Sequence, residues 1–205
     1  MSKSDAQSVR FVSTRAEFEQ IIASINSFVD TTVDLPRSVF QPNGWSYSFI
    51  DFGWLLYRSF WTASVVLREG CARDGARMTM AMIEPREIDG QQFGSSVLPA
   101  FSIDPLACAQ EYEDATETSI SESNQSISIS LVAQTIAITP TDGTWMLYGI
   151  GRDEIGILAH RELEAHQLGP MWLTAEDALD TYGLYHRCMR PDGEQFKTEF
   201  LENYR

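Results

Sequence analysis

The chain has 205 residues, of which 43% are hydrophobic, 11% aromatic and 21% charged, with a formal net charge of −14. This composition excludes a disordered polypeptide, which lacks the apolar content to offset the entropy of ordering, and the length suits one ordinary core. It also argues against a membrane span, because the most apolar stretch, residues 49–67, is interrupted by Asp51 and Arg58, each costing about 2.5–3.5 kcal/mol at a bilayer centre.

The first ten residues are polar and lack the apolar core of a signal peptide. Cys71, Cys108 and Cys188 are odd in number, widely spaced and without a Cys-x-x-Cys pair. They fit three packing residues in a reduced compartment better than a disulfide framework. The expected location is cytoplasmic.

In chain order, Thr14 and Glu17 have the spacing of a capping box, and Phe18, Ile21, Ile22, Ile25 and Phe28 then recur at helical spacing. Residues 34–44, with Pro36, Pro42 and Asn43-Gly44, read as a loop, and residues 45–49 as a short strand. From Phe52 a helical stripe runs through Leu55, Leu56, Phe60, Ala63, Val66 and Leu67, with Gly70 as its expected stop. Residues 64–68 also suit a strand. Trp54, Tyr57 and Trp61 fall off the stripe, so they form either a second layer of core or an exposed aromatic patch.

Residues 73–75 read as a turn, and residues 76–83 alternate Met78, Met80 and Met82 with Arg77, Thr79 and Ala81, the period of a half-buried strand. The methionines suit either an irregular core or an adaptable binding surface. Residues 87–102 read as a loop. Asp104-Pro105 is expected to open a helix, with Leu106, Ala109 and Tyr112 inward, and a mobile acidic loop is expected near residues 113–125.

Residues 126–139 alternate Ile127, Ile129 and Leu131 before Ile136 and Ile138, which predicts a strand. A turn at Thr141-Asp142-Gly143 leads into residues 144–150 and 153–159, a hairpin around Gly149-Ile150-Gly151-Arg152. Thr174 with Glu176 and Asp177 starts a further helix, and Pro191-Asp192 a last one carrying Phe196, Phe200, Leu201 and Tyr204. No repeat or linker divides the chain. The fold expected is α+β, a single domain with a mainly antiparallel sheet packed against several helices.

Charge is unevenly placed. Residues 87–151 hold nine acids and no Lys or Arg, so they carry −9 of the −14, and six of the nine lie within residues 104–122. Such a block attracts cations and repels nucleic acid, whose phosphates would find no basic contact there. Asp104, Glu111, Glu113, Asp114 and Glu117 are therefore the candidate contacts for a basic protein partner. Solubility alone is the competing use for them, and a DNA mimic is a third.

Catalytic signatures are missing. Gly149-x-Gly151 lacks the rest of a phosphate loop and is expected to serve the hairpin turn. No Gly-x-Ser-x-Gly elbow is present, and Cys188 near His186 is no pair by sequence alone. The paired carboxylates at 111–114 lack the buried setting that separates an acid from a base.

His160, Glu162, Glu164 and His166 could converge on a divalent ion such as Zn²⁺, sharing one face of a strand or pairing four apart on a helix. This gives the alternative of a small metal-dependent enzyme. A charged, solvated strand edge accounts for the same residues. Nothing else in the sequence points to a cofactor, and a binding protein is favoured over an enzyme.

Trp145-Met146-Leu147-Tyr148, a Gly-rich turn, Arg152-Asp153-Glu154-Ile155-Gly156-Ile157-Leu158, the Trp172-Leu173-Thr174-Ala175-Glu176-Asp177-Ala178 helix start and the closing Phe200-x-x-Asn203-Tyr204 resemble small bacterial immunity proteins. The resemblance covers roughly the last third of the chain. It implies a cytoplasmic inhibitor that masks the basic active cleft of a toxin, with acids as the contact residues. Charge complementarity of that kind speeds and orients encounter.

Overall fold

A computed structural model describes residues 7–84, 87–88, 91–92, 98–120, 127–161, 163 and 165–205. The chain opens with strand β1 (Val9–Phe11) and helix α1 (Arg15–Asn26). Thr14 caps α1 by accepting the Glu17 N–H at 3.2 Å, while the Glu17 carboxylate pairs with Arg10 at 2.6 Å. The apolar stripe of α1 lies against the core as its spacing predicts, with Ile25 buried and Phe18, Ile21 and Ile22 partly so.

Strand β2 (Ser46–Asp51) leads into a one-turn 3-10 helix, Phe52–Leu56, followed by α2 (Arg58–Ala63) and α3 (Val65–Asp74). The continuous helix expected here is broken twice. Tyr57 is fully extended, and Ser64 turns its hydroxyl onto the Trp61 carbonyl at 3.2 Å, a side-chain bond that competes with the helical ladder. Gly70 does not stop α3. The helix runs to Asp74, where Gly75 at φ +69° supplies the left-handed cap.

Strand β3 (Met78–Glu84), the short pair β4 (Glu87–Ile88) and β5 (Gln91–Gln92), and β6 (Ala100–Ile103) follow. β6 replaces the end of the expected loop at 87–102. Asp104-Pro105 forms a turn rather than a helix start, and helix α4 (Ala109–Glu117) begins later, behind Cys108. Leu106 is consequently 76% exposed, not inward.

The predicted mobile loop near 113–125 is helical over its first five residues, as the end of α4; its residues 121–125 lie outside the described residues. The strand expected at 126–139 divides into a helical turn α5 (Ile129–Val132) and β7 (Thr135–Pro140). The hairpin is found as predicted, in β8 (Trp145–Ile150) and β9 (Ile155–His160). Helices α6 (Ala165–Leu168), α7 (Ala175–Ala178), α8 (Tyr182–Cys188) and α9 (Gly193–Tyr204) complete the chain.

Seven strands form one antiparallel sheet in the order β1-β6-β3-β7-β8-β9-β2. One face, with Ala81, Met146, Tyr148 and Ile157, packs under α1 and α7 to α9. The other, with Met78, Met80, Met82, Ile136 and Leu158, packs under α2 to α6. Covered on both sides, β7, β8 and β9 are buried at every residue, so the methionines of β3 fill core rather than line a binding surface. The fold is α+β. Among the described residues no helix is long and apolar enough to cross a membrane.

Candidate protein-binding surface

The site begins with two glycines. Gly149 on β8 and Gly156 on β9 face each other across the ladder, and the missing side chains leave a hollow on the sheet. Leu55 fills it: a Cβ added at either glycine would stand 2.8 Å from Leu55 Cδ1. Gly149 is therefore not a turn residue, as its place beside Gly151 suggested. The left-handed position of the hairpin turn is Glu154, at φ 52°.

Helix α4 holds the same turn from above. Tyr112 Oη donates to the Leu55 carbonyl at 2.5 Å and Thr116 Oγ1 to the Leu56 carbonyl at 2.8 Å. Tyr112 is fully buried, and loss of hydration pushes its phenol well above the ordinary range. Pinned between sheet and helix, the turn points Trp54 and Tyr57 outward, where they stand 44% and 46% exposed. Trp61 takes the other role, stacked on Tyr112 at 4.9 Å with its Nε1 donating to the Ala107 carbonyl at 2.7 Å. The three aromatics thus divide between core and surface.

The five candidate acids divide as well. Asp104 Oδ1 accepts the Leu106 N–H at 2.8 Å and shapes the turn before α4. Glu111 accepts the Ser8 hydroxyl at 2.6 Å and the Cys108 N–H at 2.7 Å, fastening the chain before β1 to the start of α4. The Ser8 bond first, and the Cys108 amide second, hold its carboxyl below the usual value. Glu113 is half-buried, with Arg58 Nε 3.9 Å away.

Asp114 and Glu117 are exposed, and a bond to Gln110 Nε2 at 2.9 Å is the contact Asp114 makes along its own helix. Glu117 follows Asp114 by three residues and Glu113 by four, so it neighbours both on the outer part of α4. Asp104 and Glu111 serve the local fold, Glu113 is shared with Arg58, and Asp114 and Glu117 stand exposed.

His160 is placed differently from expectation. It ends β9, an interior strand, and registers with Ser46 on β2 and Trp145 on β8. Only 3% exposed, it is no solvated edge. Ser48 Oγ lies 3.3 Å from its Nε2, and burial lowers its proton affinity. Glu162, Glu164 and the side chain of His166 lie outside the described residues. Among the described residues no group of three or more His, Cys, Asp or Glu is placed to hold a metal ion.

A charge cluster around one buried carboxylate was not legible in the sequence. Asp153, 1% exposed, meets Arg187 Nη1 at 3.1 Å and Arg152 Nε at 3.3 Å, while Arg152 reaches Asp34 and Arg187 donates to the Leu35 carbonyl. It ties the 34–35 loop, the hairpin turn and α8 together, across sequence separations that no local pattern encodes. No known protein family, curated protein or solved structure matches the chain.

Proposed function

We propose that the chain is an acidic protein-binding module that inhibits a basic partner, and that it acts in the cytoplasm as an immunity protein masking a toxin's active cleft. The observation that carries this reading is the outward-facing pair Trp54 and Tyr57 on a turn braced by the acidic helix α4. Aromatic anchors beside a charged rim are the composition of a protein interface rather than of an idle surface. A rigidly held aromatic loses little entropy on binding, and the carboxylates of Glu113, Asp114 and Glu117 suit Lys and Arg on the other side. The toxin assignment rests on the resemblance in the last third of the chain.

Affinity capture from lysate at low and high salt, read by mass spectrometry, tests the proposal. A basic protein retained at low salt and released by salt supports it. Absence of any basic protein at low salt removes it.

A further inference from the structure

A second concavity lies on the same side of the sheet, away from the Trp54 turn. It is a cleft of about 220 Å³ between α3 and the ends of β8 and β9, with Leu67, Gly70, Arg73, Trp145, His160 and Arg161 in its walls. Three features set it apart from an incidental gap. The first is His160, whose buried Nδ1 has no hydrogen-bond partner among the described residues, an arrangement that folded proteins rarely leave unanswered.

The second is charge. In a chain of net −14, Arg73 and Arg161 both line this cleft, and Asp74 is the one acid in its wall among the described residues. Neither arginine makes an ion pair among the described residues, but the Arg161 guanidinium lies over the Trp45 ring, 4.6 Å from its centroid, with the core of the opposite sheet face, which leaves Arg73 as the cation beside Gly70. The third is Gly70. A glycine inside a helix weakens it, yet a Cβ here would meet nothing nearer than Arg73 Nη2 at 4.0 Å. No packing demand in the fold requires glycine at this position, and what its absent side chain provides is open space in the cleft wall.

We infer that this cleft binds a small aromatic carboxylate, its ring between Trp145 and Gly70, its carboxylate on Arg73, and a polar atom on His160 Nδ1. A planar guanidinium pairs with a planar carboxylate through two parallel hydrogen bonds. Flat apolar walls with a few convergent polar groups are the usual make-up of a small-ligand site.

Amide and indole NMR resonances of the intact chain, titrated with benzoate and with indole-3-acetate, provide the test, with benzamide and indole as uncharged controls. At millimolar concentration the carboxylates are expected to shift the resonances of Gly70, Trp145 and Arg161, and the controls to shift them less. Gly70→Leu starts from a Cβ that meets nothing nearer than 4.0 Å and extends into the cleft, so it is expected to abolish the shifts while the melting transition is kept. The inference is overturned if neither carboxylate shifts these resonances, or if Gly70→Leu leaves the shifts unchanged.

Discussion

Tyr112, at the centre of the acidic helix, donates its phenolic hydrogen to the Leu55 carbonyl 2.5 Å away, and this bond makes the helix and the aromatic turn one unit. Tyr112→Phe keeps the ring stacked on Trp61 but strands a buried acceptor. It is expected to cost about 1–3 kcal/mol, read as a lower urea midpoint with an unchanged slope.

Leu55 is also the point where Gly149 and Gly156 bear on the turn. Gly149→Ala and Gly156→Ala each push a methyl against the same Leu55 Cδ1, and overpacking of this kind costs about 1–3 kcal/mol. Because both act through one displaced side chain, the double variant is expected to cost less than the two singles together. Equal and additive costs in denaturant titrations would show that the glycines act separately.

On the outer surface the expectation reverses. Trp54→Ala and Glu117→Lys remove exposed groups, so stability is expected to stay within about 0.5 kcal/mol of the parent. Binding to the basic partner is expected to weaken by about 2 kcal/mol for Trp54→Ala, roughly a thirtyfold rise in Kd. Glu117→Lys is expected to flatten the salt dependence of that binding. Calorimetric titration at two ionic strengths reads both.

The pH dependence follows from His160 and Glu111. Burial lowers the proton affinity of His160 below its ordinary value of 6.5, so the unfolded chain binds that proton more tightly. Stability is therefore full above the ordinary value and falls as pH drops from there through the folded value. His160→Gln is expected to remove this step from denaturation midpoints measured between about pH 5 and 8. Glu111, with its carboxyl lowered chiefly by Ser8, stabilises above its unfolded value and loses that contribution as pH falls through the folded one, at the acid end of the same curve.

The elements legible in the sequence were those whose pattern is local. Thr14 with the stripe of α1, and the β8–β9 hairpin, each carry their signal within one short continuous segment. β1 and β6 did not, because strands of three and four residues are too short for a period to register, and β6 is buried on both faces. Ile127, Ile129 and Leu131 alternate like a strand, yet Ile129 opens a helical turn and Leu131 stands 70% exposed.

The site was half visible. The acids were named, but which of them the fold consumes depends on partners as distant as Ser8, and the exposure of Trp54 depends on two glycines nearly a hundred residues away. His160 looked like an edge residue because β2, which covers it, comes more than a hundred residues earlier in the chain.

The most direct test of the binding surface is a paired capture. Parent chain and the Trp54→Ala, Glu117→Lys double variant, matched for melting temperature, are exposed to the same lysate at low salt and compared by quantitative mass spectrometry. A basic protein enriched on the parent and lost from the variant is the predicted result. Recovery of the same proteins in equal amounts on both would contradict the assignment of this face as the interface.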